Sequence, residues 1–303
     1  MPNKVILFMT IMLSVVLVSR VTGVEKIILD QDFESLPLGP IADPYGTNGV
    51  GSTADTGGRW RQVGTIYPDP SIVNTVAYSG TQSYRISRLT AGENSIGWTY
   101  VESAPQGMPF EFSYWVNPVS GGSWIVAANN YDYIQTNTPV SVYIDPSGNL
   151  QARELRDDGN LIWRDTGVDI AIGSWTGIKA VVKSWGDGTS TVAGRGFYDV
   201  YTNTGSGWVQ AYSDVGFNSS MLYDGINAVF VIPQAPANSI SGYMDDVNLL
   251  VTPLTCADVF TIGNAVDGDL YQDCRIDLKD FAKFASDWLF CNDPEDTGCT
   301  ANW

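Results

Sequence analysis

Val140-Ser-Val-Tyr-Ile144-Asp-Pro-Ser-Gly148-Asn-Leu-Gln-Ala-Arg153 sets two β-rich runs on either side of an Asp-Pro-Ser-Gly turn. Proline presets φ for the second position of such a turn, and glycine accepts the positive φ that closes it. The stretch therefore reads as a hairpin of Val140–Ile144 with Leu150–Arg153. Runs of the same kind recur at Lys26–Leu29, Gln82–Ile86, Phe110–Val116, Ser123–Ala127, Gly177–Val182, Phe197–Tyr201, Ala228–Ile232 and Tyr243–Val251, separated by Gly, Pro, Asn, Asp and Ser clusters. No amphipathic helix of convincing length precedes Ile276. Many short strands bury one face each most simply by packing as two sheets, so residues 24–252 are expected to form an all-β sandwich.

Its ends carry further information. Asp30-Gln-Asp-Phe-Glu34-Ser-Leu-Pro opens the domain and Gly242-Tyr-Met-Asp-Asp246-Val-Asn-Leu closes it. Val76-Ala-Tyr-Ser-Gly-Thr-Gln-Ser83, Phe112-Ser-Tyr-Trp115-Val and Gly173-Ser-Trp175-Thr-Gly-Ile lie between. This pattern resembles the concanavalin A-like sandwiches, including laminin G-like domains and jelly-roll carbohydrate-binding modules. The resemblance implies first and last strands side by side, with Glu34 and Asp246 at the positions that match a structural calcium. Ordinary exposed strand-end acids are the alternative reading of that pair.

Ten Trp and fifteen Tyr make the chain rich in rings that stack on sugar C–H surfaces while their polar edges reach water or ligand. Trp60, Trp98, Tyr100, Trp124, Tyr131, Tyr133 and Trp163 lie near turns or strand ends and are the candidate ligand-binding residues. Trp115 and Trp175 lie in apolar runs and are expected in the core. A glycosidase needs two acids about 5–10 Å apart. The sandwich glucanases place such acids in a Glu-x-Asp-x-x-Glu run, which this chain lacks. With no histidine in the sequence, Ser-His-Asp and Cys-His mechanisms and histidine-ligated zinc are excluded. No catalytic residue is assigned, and the reading favours a binder over an enzyme.

Residues 253–303 form a separate tail. Asp269-Leu-Tyr-Gln-Asp273-Cys-Arg-Ile-Asp277-Leu-Lys-Asp280 places carboxylates at positions one, five, nine and twelve of a twelve-residue window. Hard cations take oxygen ligands, and a loop of this length wraps carboxylates and one backbone carbonyl around a single ion, here calcium. Ile276, at position eight, is expected to pin the loop to its module. An acidic turn with Asp277 as a helix N-cap is the alternative. The helix that follows is expected over Leu278–Phe290, with Phe281, Phe284, Ala285, Trp288 and Leu289 on one stripe.

This stretch resembles one repeat of a type I dockerin, a module that docks onto cohesin domains in extracellular polysaccharide-degrading assemblies. By position the resemblance makes Asp269, Asp273, Asp277 and Asp280 side-chain ligands and Arg275 the carbonyl ligand. Tyr271 stands where Asn or Asp is usual, so that ligand is missing or replaced by water. Cys274 stands where glycine makes the sharp turn, which suggests local strain or a disulfide anchor. Only one repeat is present. Leu278 and Lys279 occupy the positions at which the family reads its cohesin-like partner.

All four cysteines, Cys256, Cys274, Cys291 and Cys299, fall in this tail. Small exported modules are often stapled, so two disulfides are expected, with three connectivities open. Lys4, the apolar run Val5–Val18 and Val21-Thr-Gly23 have the layout of a secretory signal over residues 1–23. That apolar run is shorter than the ~20 residues of a membrane span, so no membrane insertion is expected after cleavage. The formal charge of −17 argues against nucleic-acid partners, which need basic patches. The expected partners are a polysaccharide or other glycan and a cohesin-like protein or cell-surface component, with an extracellular or cell-surface address.

Overall fold

The computed structural model describes residues 25–41, 50–51, 59–64, 70–88, 95–105, 107–119, 123–129, 139–156, 158–186, 195–217, 225–234, 240–253, 255–261 and 268–287. The candidate signal, Tyr131, Tyr133, Cys291 and Cys299 lie outside them, as do Trp288 and Leu289 of the predicted helical stripe. The chain divides into two compact units, one of which is Ile27–Thr252 and the other of which contains Pro253–Trp303.

The larger unit is an all-β sandwich of two antiparallel sheets, the jelly-roll architecture that the strand pattern implies. Its strands begin with β1 Lys26–Gln31, β2 Gly39–Pro40, β3 Val50–Gly51, β4 Arg59–Gly64, β5 Ser71–Val73 and β6 Ser83–Arg88. They continue with β7 Ser95–Pro105, β8 Phe110–Pro118, β9 Ser123–Asn129, β10 Val140–Ile144, β11 Asn149–Leu155 and β12 Leu161–Asp169. The last are β13 Thr176–Gly186, β14 Arg195–Asn203, β15 Val209–Gly216, β16 Gly225–Gln234 and β17 Ile240–Val251. Sheet one runs β15-β14-β13-β8-β17-β6-β5-β2, with β1 also paired to β17; sheet two runs β12-β11-β10-β9-β16-β7-β4-β3. First and last strands are thus neighbours.

The predicted hairpin forms as written. Ile144 faces Leu150 across the ladder, and the Gly148 amide donates to the Asp145 carbonyl at 2.9 Å. Gly148 has a φ of 94°, the left-handed region in which a side chain is strained.

Period-two alternation builds the core. Phe110, Phe112, Tyr114 and Val116 of β8, Ile178, Ala180 and Val182 of β13, and Tyr198 and Val200 of β14 are buried from sheet one. Val140, Val142, Ile144, Leu150 and Ala152 are buried from sheet two. The Tyr198 hydroxyl ties the layers together, lying 3.1 Å from the carbonyl oxygens of both Ser141 on β10 and Arg153 on β11. Burial pushes the pKa of this phenol well above its ordinary value, so it stays a neutral donor. Register shifts interrupt two ladders at the sheet margins: β11 with β12 between Leu150 and Gln151, and β14 with β15 on both sides of Val200. Another break lies inside sheet one, in β17 between Asp245 and Asn248, where Asp246 takes a φ of 45°.

The smaller unit contains α1, Cys256–Thr261, and α2, Leu278–Asp287. Thr255 and Asp258 cap the first reciprocally: the Asp258 amide donates to Thr255 Oγ1 at 3.2 Å and the Thr255 amide to Asp258 Oδ2 at 2.7 Å.

Replacing Tyr198 by Phe removes the inter-sheet hydrogen bond and leaves two buried carbonyls short of a donor. The expected loss is about 1–2 kcal/mol in urea unfolding, with an unchanged slope. A change below a few tenths would show that the hydroxyl does not hold the layers together.

Candidate functional site

Trp115 of β8 sits between Tyr114 and Val116, both of which face the core, so alternation turns its indole outward. Trp115 and Trp175 are half-buried, and the expectation that both belong to the core is corrected. Tyr78 stacks on Trp115 with ring centroids 3.6 Å apart and meets Trp175 edge-on at 6.0 Å. Trp208 lies on the other side of Trp115 at 6.2 Å. Gly177 makes room for both indoles: a Cβ there would come within 3.0 Å of Trp208 and 3.1 Å of Trp115. Lys179 extends the surface, its ammonium 5.2 Å from the Trp208 ring and 5.4 Å from Tyr201, and 3.1 Å from Glu111 Oε2. Tyr78 and Trp208 are the outermost rings, 40% and 38% exposed.

The break in β17 positions this surface. Asp245 faces Trp115 in register and is fully buried, with 0% exposure. Its Oδ2 accepts the amides of Tyr78 at 2.8 Å and Ser79 at 3.2 Å, which lays the Tyr78 ring over Trp115. Burial pushes the Asp245 carboxyl up to about 7, against the lowering effect of its amide donors.

The acids at the domain ends gather on the same segment. Ser79 Oγ donates to Asp246 Oδ1 at 2.8 Å, and Glu34 accepts the amides of Thr81 at 2.7 Å and Gln82 at 2.6 Å and the Thr81 hydroxyl at 2.8 Å. Burial holds the Asp246 carboxyl above its ordinary value, and the charges of Asp32, Asp30 and Glu34 add to that. Glu34 and Asp246 therefore both bind the turn over residues 79–82. Neither belongs to a group of three metal-ligating side chains among the described residues.

None of the rings in the cluster around Trp115 was among the expected ligand-binding aromatics, of which Trp163 has a described side chain. It packs against Tyr143 at 4.7 Å and under the Arg153 guanidinium at 5.5 Å, on the outer face of sheet two. Trp60, Trp98, Tyr100 and Trp124 lie in β4, β7 and β9, whose backbone alone is placed at those positions. Tyr78, Trp208, Tyr201 and Lys179 were missed by sequence reasoning. The alternation of β8, with Glu111 and Ser113 outward, already marked Trp115 as outward-facing.

In the tail, Asp269, Asp273 and Asp280 each offer a carboxylate oxygen, all within 4.8 Å of one another. Asp269 accepts the amides of Asp273 at 3.1 Å and Cys274 at 2.7 Å; Asp280 accepts those of Tyr271 at 3.0 Å and Asp277 at 2.8 Å. These donors hold the Asp280 carboxyl below the usual range, the Asp277 amide contributing most. Asp273 Oδ1 is buried with no hydrogen-bond partner, while its Oδ2 lies 3.3 Å from Lys279 Nζ. An orphaned carboxylate oxygen beside two buried carboxylates fits a hard cation. Asp277 instead caps α2, accepting the Lys279 amide at 2.7 Å, and stands outside the three-carboxylate group. Arg275 lies between Cys274 and the cap, at the position of the carbonyl ligand. Cys274 is disulfide-bonded to Cys256. Ile276 is 48% exposed, so the pinning role expected of it is not what the structure shows, and on the α2 stripe Phe281 is 66% and Phe284 46% exposed.

No family model matches this chain, and no curated protein matches its sequence. Solved structures with a similar course include an endo-β-1,4-glucuronan lyase from the fungus Trichoderma reesei, at 12% identity and a TM-score of 0.45, covering 77% of this chain and 97% of that one. Domain 4 of an extracellular arabinanase from Geobacillus stearothermophilus, solved with arabinotriose, has 16% identity and a TM-score of 0.40, with coverage of 78% and 98%. An alginate lyase from Aplysia kurodai has 10% identity and a TM-score of 0.41, with coverage of 61% and 87%.

A cleft of about 330 Å³ opens at the margin where β11 and β14 meet, lined by Glu154, Arg156, Asp158, Arg164 and Arg195. Arg164 donates to Glu154 Oε2 through Nη2 at 2.6 Å and Nε at 3.0 Å, and Arg195 Nη2 lies 3.5 Å from Oε1. Gly216 leaves the space that the Arg195 guanidinium fills.

Ionised Glu34 is held by three donors, the Thr81 amide first, and its pKa lies below the ordinary value of 4.5. The stability it contributes is complete above that value and is lost as the pH falls through the lower folded one. Glu34→Gln should lower the melting temperature at pH 7 and leave it unchanged near pH 2. Equal losses at both pH values would mean that the carboxylate charge is irrelevant.

Proposed function

We propose that this is an exported, non-catalytic carbohydrate-binding protein whose sandwich holds glycan on the outer face of sheet one. The observation that carries this reading is the aromatic surface of Tyr78, Trp115, Trp175 and Trp208. Its rings stand at the surface, where sugar C–H faces stack. Trp115 is carried on β8 between paired strands, and the rings around it are held in place by Asp245, which fixes the Tyr78 amide, and by the space at Gly177, so little is lost in ordering them when a ligand binds. Lys179 and Glu111 at its edge supply polar partners for sugar hydroxyls. The tail serves as a calcium-binding, dockerin-like module that attaches or organises the protein outside the cell, with exposed Leu278 and Lys279 turned to a cohesin-like partner or a cell-surface component. The signal-like N-terminus supports export. Among the described residues, no helix is long and apolar enough to cross a membrane.

The sandwich is tested with a panel of neutral and acidic polysaccharides, read both for retention and for reducing ends or unsaturated products. Retention without turnover is expected. Tyr78→Ala and Trp208→Ala should each weaken retention by about 3- to 10-fold while the protein still melts cooperatively, as expected for loss of one stacking ring at about 0.5–1.5 kcal/mol. Product formation would make the protein an enzyme, and retention unaffected by either variant would move the ligand to another face.

The tail is tested by chelation. Removing calcium should lower the thermal stability and near-UV signal of the tail with its cysteines oxidised, and Asp269→Ala with Asp280→Ala should reproduce that state. An unchanged signal after chelation would sink the calcium assignment.

A further inference from the structure

The sixth position of the loop presents a physical problem. Cys274 has a φ of 59°, in the left-handed region that glycine enters freely and other L-residues enter at a cost. That conformation aims the Cys274 amide at Asp269 Oδ2, 2.7 Å away, and so fixes the first carboxylate of the loop beside Asp273 and Asp280. Gln272, two residues earlier, is also left-handed at 55°, so nothing next to Cys274 relieves the strain. The side chain of Cys274 is bonded to Cys256, the first residue of α1. That helix is anchored at the same end by the Thr255–Asp258 cap and by buried Val259. A covalent tether to a capped helix therefore acts on a residue whose backbone is costly to keep in place.

We propose that the Cys256–Cys274 disulfide takes the part of a glycine in this loop, holding Cys274 left-handed so that its amide keeps Asp269 in the cation-binding arrangement. The inference rests on the calcium reading of the tail. The two cysteines act as positioning residues, their sulfurs being joined to each other. Glycine and a tethered cysteine are alternative solutions to the same steric constraint: one removes the Cβ, the other prevents its residue from relaxing out of the strained region.

The test uses two full-length variants that lack the tether and differ only at position 274. Cys256→Ala/Cys274→Gly removes the disulfide together with the Cβ, whereas Cys256→Ala/Cys274→Ala removes the disulfide and keeps the Cβ. Calcium alone is titrated calorimetrically into each variant and into the unaltered protein. Heats from Asp269→Ala/Asp280→Ala are subtracted to isolate the loop, and the melt of the sandwich reports that each protein is folded. The glycine variant should bind within about threefold of the unaltered protein. The alanine variant should bind about 5- to 30-fold more weakly, the equivalent of one residue's cost of entering the left-handed region. Equal affinities for the two variants, whether both weak or both strong, would overturn the proposal, since a plain staple or an irrelevant one does not distinguish Gly from Ala. Absence of loop-specific calcium binding in the unaltered protein would overturn the calcium reading and this inference together. Calcium binding without discrimination between the variants would remove this inference alone.

Discussion

The buried carboxylate of Asp245 organises one face of this molecule. A polar group taken from water needs hydrogen bonds in its place, and Asp245 collects them from the amides of Tyr78 and Ser79, far away in sequence. Its position on the central strand of sheet one, opposite Trp115, makes these bonds directional. The segment over residues 78–82 is drawn onto the sheet, Tyr78 is laid on Trp115, and the end-acids Glu34 and Asp246 close over the same turn. The break in the β17 ladder is what lets this happen. An extra residue in a strand re-aims the side chains beside it, and here it turns two successive aspartates towards one loop while Val247, Leu249 and Val251 return to the core.

Much of this architecture was legible in the sequence because it depends on local rules. The Asp145–Gly148 turn specified its hairpin, and the β-rich runs at Phe110, Gly177, Phe197 and Tyr243 all became strands. The Leu278 helix starts where its N-cap predicts. The weaker strands β12 and β15 were not legible, since their residues are largely exposed and carry no alternation strong enough to read. Trp115 was misplaced for a different reason. Hydrophobicity counts a ring among apolar neighbours as core, whereas the pleat sends every second residue outward whatever its polarity. Trp175 precedes β13, in a segment where no strand alternation applies. The cluster of Tyr78, Trp115 and Trp208 joins three separate stretches of chain, and only strand order brings them together.

The tail shows the opposite balance. Spacing alone placed Asp269, Asp273 and Asp280 around one point, because a twelve-residue loop closing on its own helix leaves little freedom. Spacing could not tell a ligand from a cap at Asp277, whose carboxylate lies within reach of the helix amides and takes them. It also assigned Ile276 and the α2 stripe an interior that the described part of this small unit does not provide.

The irregular ladders at the sandwich margin have a consequence for life at high local concentration. β12 and β15 are the terminal strands of their sheets on one side, and each meets its neighbour through a shifted register. A straight outer strand offers a ready row of amides and carbonyls to another copy, the first step towards strand-to-strand aggregation. Kinked strands bearing Arg164, Asp165 and Asp169 on one sheet and Asp214, left-handed at 55°, on the other make a poor template. Many copies gathered on a shared surface would then stay separate folded units, held apart by the imperfections of their outermost ladders.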